Sequence, residues 1–336
     1  MTSAALDVVG IGNAIVDVIA RADEAFLERE GLVKGTMALI DAARAEALYR
    51  IMGPGVESSG GSAGNTMAGL ASLGSNGAYI GKVRDDLLGE VYRHDLTAQG
   101  VRFDTPAATG GPGTARCLIL VTPDGQRTLN TYLGACVGLG PDDIDEGIIG
   151  AAQVTYLEGY LFDPPLAQQA FRKAAAIAHA AGHKVALSLS DPFCVERHRQ
   201  AFRDLVDGHI DILFANEIEI CSLYETNDFA TAAAAVRGHV AVAALTRSAA
   251  GSVILAGGAE HIVAAAPIAR IVDSTGAGDL YAAGFLYGLT RGLPLPICGE
   301  VASLCAAEII SHVGARPERN LAEFVAAAAG RAGPSR

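Results

Sequence analysis

No stretch of the 336 residues approaches eighteen uninterrupted apolar positions, so no membrane span is expected. The opening MTSAALDVVG lacks the basic start and apolar stretch of a secretory leader, which predicts a soluble cytoplasmic protein. Positive charge is scarce: 25 Lys and Arg stand against 37 Asp and Glu, a formal charge of -12. That balance argues against nucleic acid as a partner, because phosphate backbones are bound mainly through clustered Lys and Arg. An anionic ligand needs local help from backbone amides, a few basic side chains or a metal ion. Cys-x-x-Cys pairs are absent among Cys117, Cys136, Cys194, Cys221, Cys298 and Cys305, which read as buried thiols and give little support to a zinc or disulfide framework. Familiar signatures fail on inspection as well. GIGNAI has Ile15 where a dinucleotide fingerprint needs its third glycine, and GAYIGKV has three residues between Gly77 and Gly81 and Val83 after Lys82, so it is no P-loop. His179 and His183 are four apart, but Gly182 interrupts the turn and no glutamate lies between them.

What is present is alternation. Apolar, β-branched runs recur at 6–12, 78–83, 153–159, 184–190, 210–216, 240–246 and 269–273, with Ala-rich helical stretches between most of them. Pro164 and Pro165 mark one helix start and Gly182 its stop. Repeated strand, crossover helix and strand predict an α/β fold of three layers, a mainly parallel sheet between helices. Ligands of such sheets gather at the carboxyl ends of the strands. Residues 114–132 read as a hairpin around Pro123, Asp124 and Gly125, and 13–40 as extended at its ends. These pieces form either a small β-sheet lying over the main one as a lid or edge strands of the main sheet. No repeat or linker divides the chain, so 1–330 read as one domain, with lid segments at about 13–40 and 108–135, and 331–336 as a C-terminal tail.

The densest chemistry lies in DSTGAGD, 273–279. After a strand at 269–273 the chain needs a tight turn, which Gly276 and Gly278 permit, and a helix from 278 to 290 then aims its unpaired N–H groups at the same point. Such a helix start suits a phosphate. A carboxylate there repels an anion unless it serves the chemistry or the helix. Asp279 either takes a proton from an attacking hydroxyl or complements its own helix N-terminus. A second glycine turn, ESSGGSAGNTMAGLASLG at 57–74, has Asn65 within it and points to a second ligand, one phosphorylated and the other polyhydroxylated.

GGSAGN, NEIE at 216–219 and DSTGAGD, in that order and followed by DLYAAGFL, resemble the signatures of the ribokinase or phosphofructokinase-B family of carbohydrate and nucleoside kinases. The likeness spans nearly the whole chain and implies a ribokinase-like fold. GIGNAIVD, the GGSAGN without a lysine after its two glycines, and LSLSDPFCV are most similar to adenosine kinases, which implies transfer of phosphate from ATP to the 5′-hydroxyl of adenosine, in purine salvage. By this resemblance Asp279 is the base, and the amides of Gly276, Ala277 and Gly278 form an anion hole. Asn216 and Glu219 organise Mg²⁺ through water, and Arg127 approaches the phosphates. Asn13, Asp17, Gly61, Ser62 and Asn65 cradle the ribose. Tyr160 and Leu161, with Phe162, are either a wall for the base or ordinary core. Thr246, Arg247 and Gly251 of TRSAAG face the nucleotide, although Ser248 replaces the glycine in the middle of the family's pattern. NEIE also reads as a solvated strand end, and Arg127 as a surface residue. A sugar, inosine or guanosine acceptor, a nucleoside-binding protein without turnover, a monovalent cation, and a monomer or a homodimer all stay open.

Overall fold

The computed structural model describes residues 5–331. Residues 1–4, and all but the first residue of the expected tail 331–336, lie outside it. Thirteen strands are described in chain order: β1 (Leu6–Ile11), β2 (Ile15–Arg21), β3 (Met37–Leu39), β4 (Gly55–Ser59), β5 (Gly77–Ile80), β6 (Ala115–Val121), β7 (Arg127–Tyr132), β8 (Ala152–Glu158), β9 (Lys184–Ser188), β10 (Ile212–Asn216), β11 (Val242–Thr246), β12 (Ser252–Ala256) and β13 (Ala259–Val263). Eight of them form the main sheet in the order β13-β12-β11-β10-β9-β8-β1-β5, and the other five a second sheet in the order β3-β7-β6-β2-β4.

Six neighbouring strands of the main sheet run parallel, from β5 to β11. Both faces are covered because successive apolar residues point opposite ways along a strand. Val9 and Ile11 pack with Phe171 and Ala174 of the helix Pro165–Ala180, whereas Val8 packs with Met67 and Leu70 of the helix Ser62–Ser72 and Phe285 of the helix Ala277–Thr290. Burial of each such large side chain contributes about 2–3 kcal/mol. The three layers expected from the alternation are these.

The antiparallel edge was not foreseen. Strand β12 returns along β11, and β13 pairs β12 through Gly257 and Gly258, with φ of +52° and +83°. Two consecutive positive φ values define the two-residue hairpin turn that matches strand twist, so the pair of glycines was the available signal. The strand expected at 269–273 does not form. The hairpin closes that edge of the sheet, and 269–273 runs over the surface with Ile271 63% exposed and the Val272 N–H on the Ile310 carbonyl.

The second sheet contains the expected hairpin, β6 and β7, whose turn has Gly125 at φ +83° and the Thr122 hydroxyl on Asp124. Strand β2 pairs parallel with β6, and β3 parallel with β7, so the 13–40 segment enters this sheet and the edge-strand alternative falls away. Lys34 ties the segment to the hairpin tip through Asp124, at 2.6 Å. Strand β4, which was not assigned to the lid, completes the sheet beside β2. It leads through Gly60 and Gly61 straight into the helix Ser62–Ser72.

Candidate active site

Asp279 is the third residue of the helix Ala277–Thr290, whose N-cap Gly276 sits in the left-handed region at φ +79°. No side chain caps that helix. The carboxylate turns instead to the other glycine motif: Ser62 Oγ donates to Oδ1 at 2.6 Å and Asn65 Nδ2 to Oδ2 at 2.9 Å. Asp279 therefore forms no capping hydrogen bond, though as an acidic residue in the first turn it still complements its helix N-terminus. Burial pushes its pKa up, against the pull of these two donors and of Arg316. Asn65 lies in the first turn of a helix rather than in the glycine turn, and its Oδ1 is buried without a partner. Around the anion loop, the Gly276 N–H meets no acceptor among the described residues, and Gly278 is exposed with open space where a side chain would stand. The Ala277 N–H turns back to the Ser274 carbonyl at 3.3 Å.

The helix Ser62–Ser72 is placed by close backbone contact. Gly61 has φ +78°, and a Cβ there would lie 2.1 Å from the Asn13 carbonyl oxygen, so only glycine fits. Glu158, at the end of β8, accepts from Asn13 Nδ2 at 2.8 Å and from the Ala63 N–H at 2.7 Å, fixing both sides of that contact. Its burial raises its pKa to about 7.

Asp17 does not stand in a turn. It lies in the middle of β2 with its carboxylate against Gly60, and among the described residues it accepts no hydrogen bond. Burial lifts it to about 6, while Arg316 and Arg127 pull it down and Asp279 pushes it up. Its strand register sets a row across the second sheet: Ser58, Asp17, Cys117, Thr131 and Leu39 stand opposite one another. Cross-strand partners share a face. Thr131 accordingly donates to Cys117 at 3.2 Å. At the Thr131 end of the row lies an apolar groove of about 220 Å³, lined by Leu39, Ile40, Pro112, Leu133 and Val137 as well as Thr131.

Arg127 is buried, which corrects its reading as a surface residue. Its Nη1 pairs with Asp273 Oδ2 at 2.7 Å, joining the second sheet to the first residue of DSTGAGD, and its Nε is buried without a partner. Asp273 also accepts from the Thr275 N–H and hydroxyl and from the Gly314 N–H; burial opposes its ionisation, but these donors and Arg127 hold its pKa below the usual value.

NEIE is not a solvated strand end. Asn216 closes β10 and caps the next helix, accepting from the Ile218 and Glu219 N–H groups, while Glu219 accepts from the Asn216 N–H at 2.9 Å and Nδ2 at 2.6 Å. This reciprocal pairing is a capping box. Glu219 is buried, which raises it to about 7 despite the Asn216 donor. Thr246 lies beside Asn216 in register. Arg247 stacks over Phe229 at 4.3 Å and pairs with Glu217 at 3.3 Å, and Gly251 ends the turn at φ +82°. Ser248 is left-handed, φ +49°, so serine stands where the backbone favours glycine, at a cost of about 1 kcal/mol.

Tyr160 is 40% exposed, but Leu161 and Phe162 belong to the core, where Phe162 stacks on Phe202 with ring centroids 4.4 Å apart. The short helical turn Gly159–Phe162 causes the split, since consecutive side chains there point in different directions. Leu161 is therefore corrected from wall to core.

Glu158 and Arg316 went unnoticed in the sequence. Glu158 had the same signal as Asp17, a carboxylate in an apolar run. Arg316 had none, because it stands in an irregular loop, SHVGARPERN, after the helix Leu295–Ile309.

Among the described residues no helix is long and apolar enough to cross a membrane. The pfkB family of carbohydrate kinases matches residues 39–320. Adenosine kinase from Sinorhizobium meliloti superposes with a TM-score of 0.90 at 53% identity, over 96% of this chain and 99% of that one. The probable sugar kinase protein from Rhizobium etli CFN 42 superposes with a TM-score of 0.90 at 49% identity, over 96% and 98%. The ATP-dependent ribose-1-phosphate kinase of Halopiger xanaduensis is 31% identical over 268 residues, 77% of this chain and 83% of that protein.

Proposed function

Because the chain belongs to the pfkB family of carbohydrate kinases, phosphotransferases with a hydroxyl acceptor, we propose that it carries the γ-phosphate of ATP to the 5′-hydroxyl of a ribonucleoside, adenosine before others. One observation carries this reading: two carboxylates of one site are held in opposite ways. Asp279 is clamped by two donors at a helix N-terminus, and Asp17 is left without a partner in line with an apolar groove. Asp17 is part-buried with a raised pKa and no partner of its own among the described residues, which leaves its carboxylate open to hydroxyl donors. A ribose diol supplies two. The groove beyond it offers the base an apolar bed, with Tyr160 as a further aromatic face at the end of β8.

Asp279 then takes the proton of the 5′-hydroxyl as it attacks. Its raised pKa improves it as a base near neutrality, since a base works best with a pKa near the working pH. Ser62 and Asn65 fix its orientation, and the amides of Gly276 and Gly278 receive the charge of the transferred group, the Ala277 N–H being held by the Ser274 carbonyl. Arg127, with its Nε free, is close enough to Asp273 to serve the same loop. Asn216, Thr246, Arg247 and Gly251, on neighbouring strand ends, would take the nucleotide.

Mg²⁺ fits these residues only through water. No cluster of three or more His, Cys, Asp or Glu among the described residues could cage a metal, and Glu219 already accepts two donors from Asn216. Magnesium keeps several waters and favours phosphate oxygens, so Glu219 would hold a hydrated ion carried in on the nucleotide, where it neutralises phosphate charge.

A sugar acceptor is the second reading, drawn from the ribose-1-phosphate kinase and the probable sugar kinase among the similar proteins. The apolar groove argues against it, since a free sugar has nothing to place there. The purified protein with ATP and Mg²⁺ should be offered adenosine, inosine, guanosine, ribose and ribose 1-phosphate, with ADP release followed. Adenosine should give the highest kcat/KM. A preference for ribose or ribose 1-phosphate would replace this reading with the second.

A further inference from the structure

Arg316 lies more than 250 residues after the glycine motif that holds Asp279, yet touches it. Nε and Nη2 donate to the Ser59 carbonyl at 3.0 and 2.7 Å, Nη2 donates to Ser59 Oγ at 2.8 Å, and Nη1 donates to the Gly64 carbonyl at 2.6 Å. Ser59 and Gly64 are the two ends of one short arc. Ser59 closes the lid strand β4, Gly60 lies against the Asp17 carboxylate, Gly61 presses on Asn13, and Ser62 holds Asp279. We propose that Arg316 is a positioning residue for the transfer, clamping both ends of this arc so that Asp17 and Asp279 are presented to a single acceptor. The proposal rests on the kinase reading given above.

None of the acceptors is a carboxylate, so the guanidinium keeps its charge uncancelled by contact. The groups around it come from every neighbouring element. From the helix Leu87–Ala98, Tyr92 donates to the Gly60 carbonyl at 3.2 Å and Asp95 accepts the Ser59 N–H and hydroxyl at 2.7 and 2.5 Å. Asp17 comes from the second sheet and Asp279 from the helix Ala277–Thr290. Asp17 in turn faces Arg127 and the thiol Cys117, and Asp279 faces Tyr156, Glu158, Tyr160 and Glu219. Both site carboxylates feel Arg316 as a downward pull on their pKa. Without that charge both protonate at higher pH, and a protonated Asp279 is no base.

Arg316→Gln removes charge and fork together, whereas Arg316→Lys keeps the charge on a point donor that cannot span Ser59 and Gly64. In Arg316→Gln, kcat should fall by about 10² through misplacement. The acid limb of kcat/KM for adenosine should move up by about one pH unit. In Arg316→Lys, kcat should fall while the limb stays where the unmodified enzyme has it. Parallel loss of activity and Tm in both variants with unmoved limbs would make Arg316 merely structural and overturn the proposal. So would an unchanged kcat in both.

A second measurement does not depend on the acceptor. ¹³C-carboxyl NMR of aspartate-labelled free protein should show Asp17 titrating at higher pH in Arg316→Gln than in the unmodified chain. An unmoved Asp17 titration overturns the role of the charge. Activity on some acceptor other than a nucleoside, with Asp17 moved, removes the substrate reading alone and leaves Arg316 in its place.

Discussion

Exchanging Asp279 for asparagine separates proton removal from everything else the side chain does. The carboxylate accepts from Ser62 at 2.6 Å and from Asn65 at 2.9 Å. An asparagine that keeps its oxygen toward Asn65 turns its NH₂ toward Ser62, whose hydroxyl can rotate to accept. No buried donor is then stranded, so the change in stability should stay within about 1 kcal/mol. Its direction follows from burial. Burial raises the Asp279 pKa, so its ionised form costs the fold stability at neutral pH, and a neutral amide relieves that cost. Tm of Asp279→Asn at pH 7.5 should therefore equal or exceed that of the unmodified protein. Turnover should move the other way. A positioned general base is worth about 10² to 10⁴ in rate, roughly 3–5 kcal/mol of barrier. Calorimetric melting, adenosine titration without nucleotide and steady-state kinetics on the same two preparations make the comparison. A kcat within tenfold of the unmodified enzyme, with adenosine bound normally, would refute the role of Asp279 as base.

Three further outcomes follow from the same geometry. If Asp17 grips the ribose diol, adenosine should be clearly preferred to 2′-deoxyadenosine, by less than the roughly 10⁴ of a site left fully unpaired. Asp17→Ala should narrow that gap, and equal losses on both nucleosides would make Asp17 structural. Arg127→Ala breaks the buried pair with Asp273, so kcat should fall while adenosine binding measured without nucleotide changes little; lost binding with normal turnover at saturation would move Arg127 to the nucleoside side. Glu158 is lifted from 4.5 to about 7, so its contribution to stability is full below the unfolded value and is lost as pH rises through about 7. Glu158→Gln cannot ionise and should gain in Tm on the unmodified protein between about pH 5 and about pH 8, and a constant difference across that range would contradict the shift.

The parts of this site readable in the sequence were those with a backbone reason to be where they are. GGSAGN and DSTGAGD each place glycine before a helix, and the structure brings those two helix starts together on Asp279. The parallel strands were equally plain, because β-branched runs alternating with Ala-rich helices leave few other arrangements. Two kinds of feature escaped. Segment 269–273 has the composition of a strand, but tertiary context gave the sheet edge to the β12–β13 hairpin, and local propensity cannot see that competition. Arg316 acts through main-chain carbonyls more than 250 residues earlier in the chain, a contact that no spacing encodes. Leu161 shows the limit at single residues: Tyr160 and Leu161 are adjacent and similar in kind, and only the helical turn sends one to the surface and the other to the core.

The most direct test is the bond that the enzyme makes. Adenosine, ATP and Mg²⁺ are incubated with the purified protein, and the product is read by proton-coupled ³¹P NMR. A phosphate ester on the 5′-oxygen couples to the two protons of that carbon and gives a triplet, which is the expected result. A doublet from a 2′- or 3′-ester, or no nucleoside ester while a free sugar is phosphorylated under the same conditions, would contradict the account.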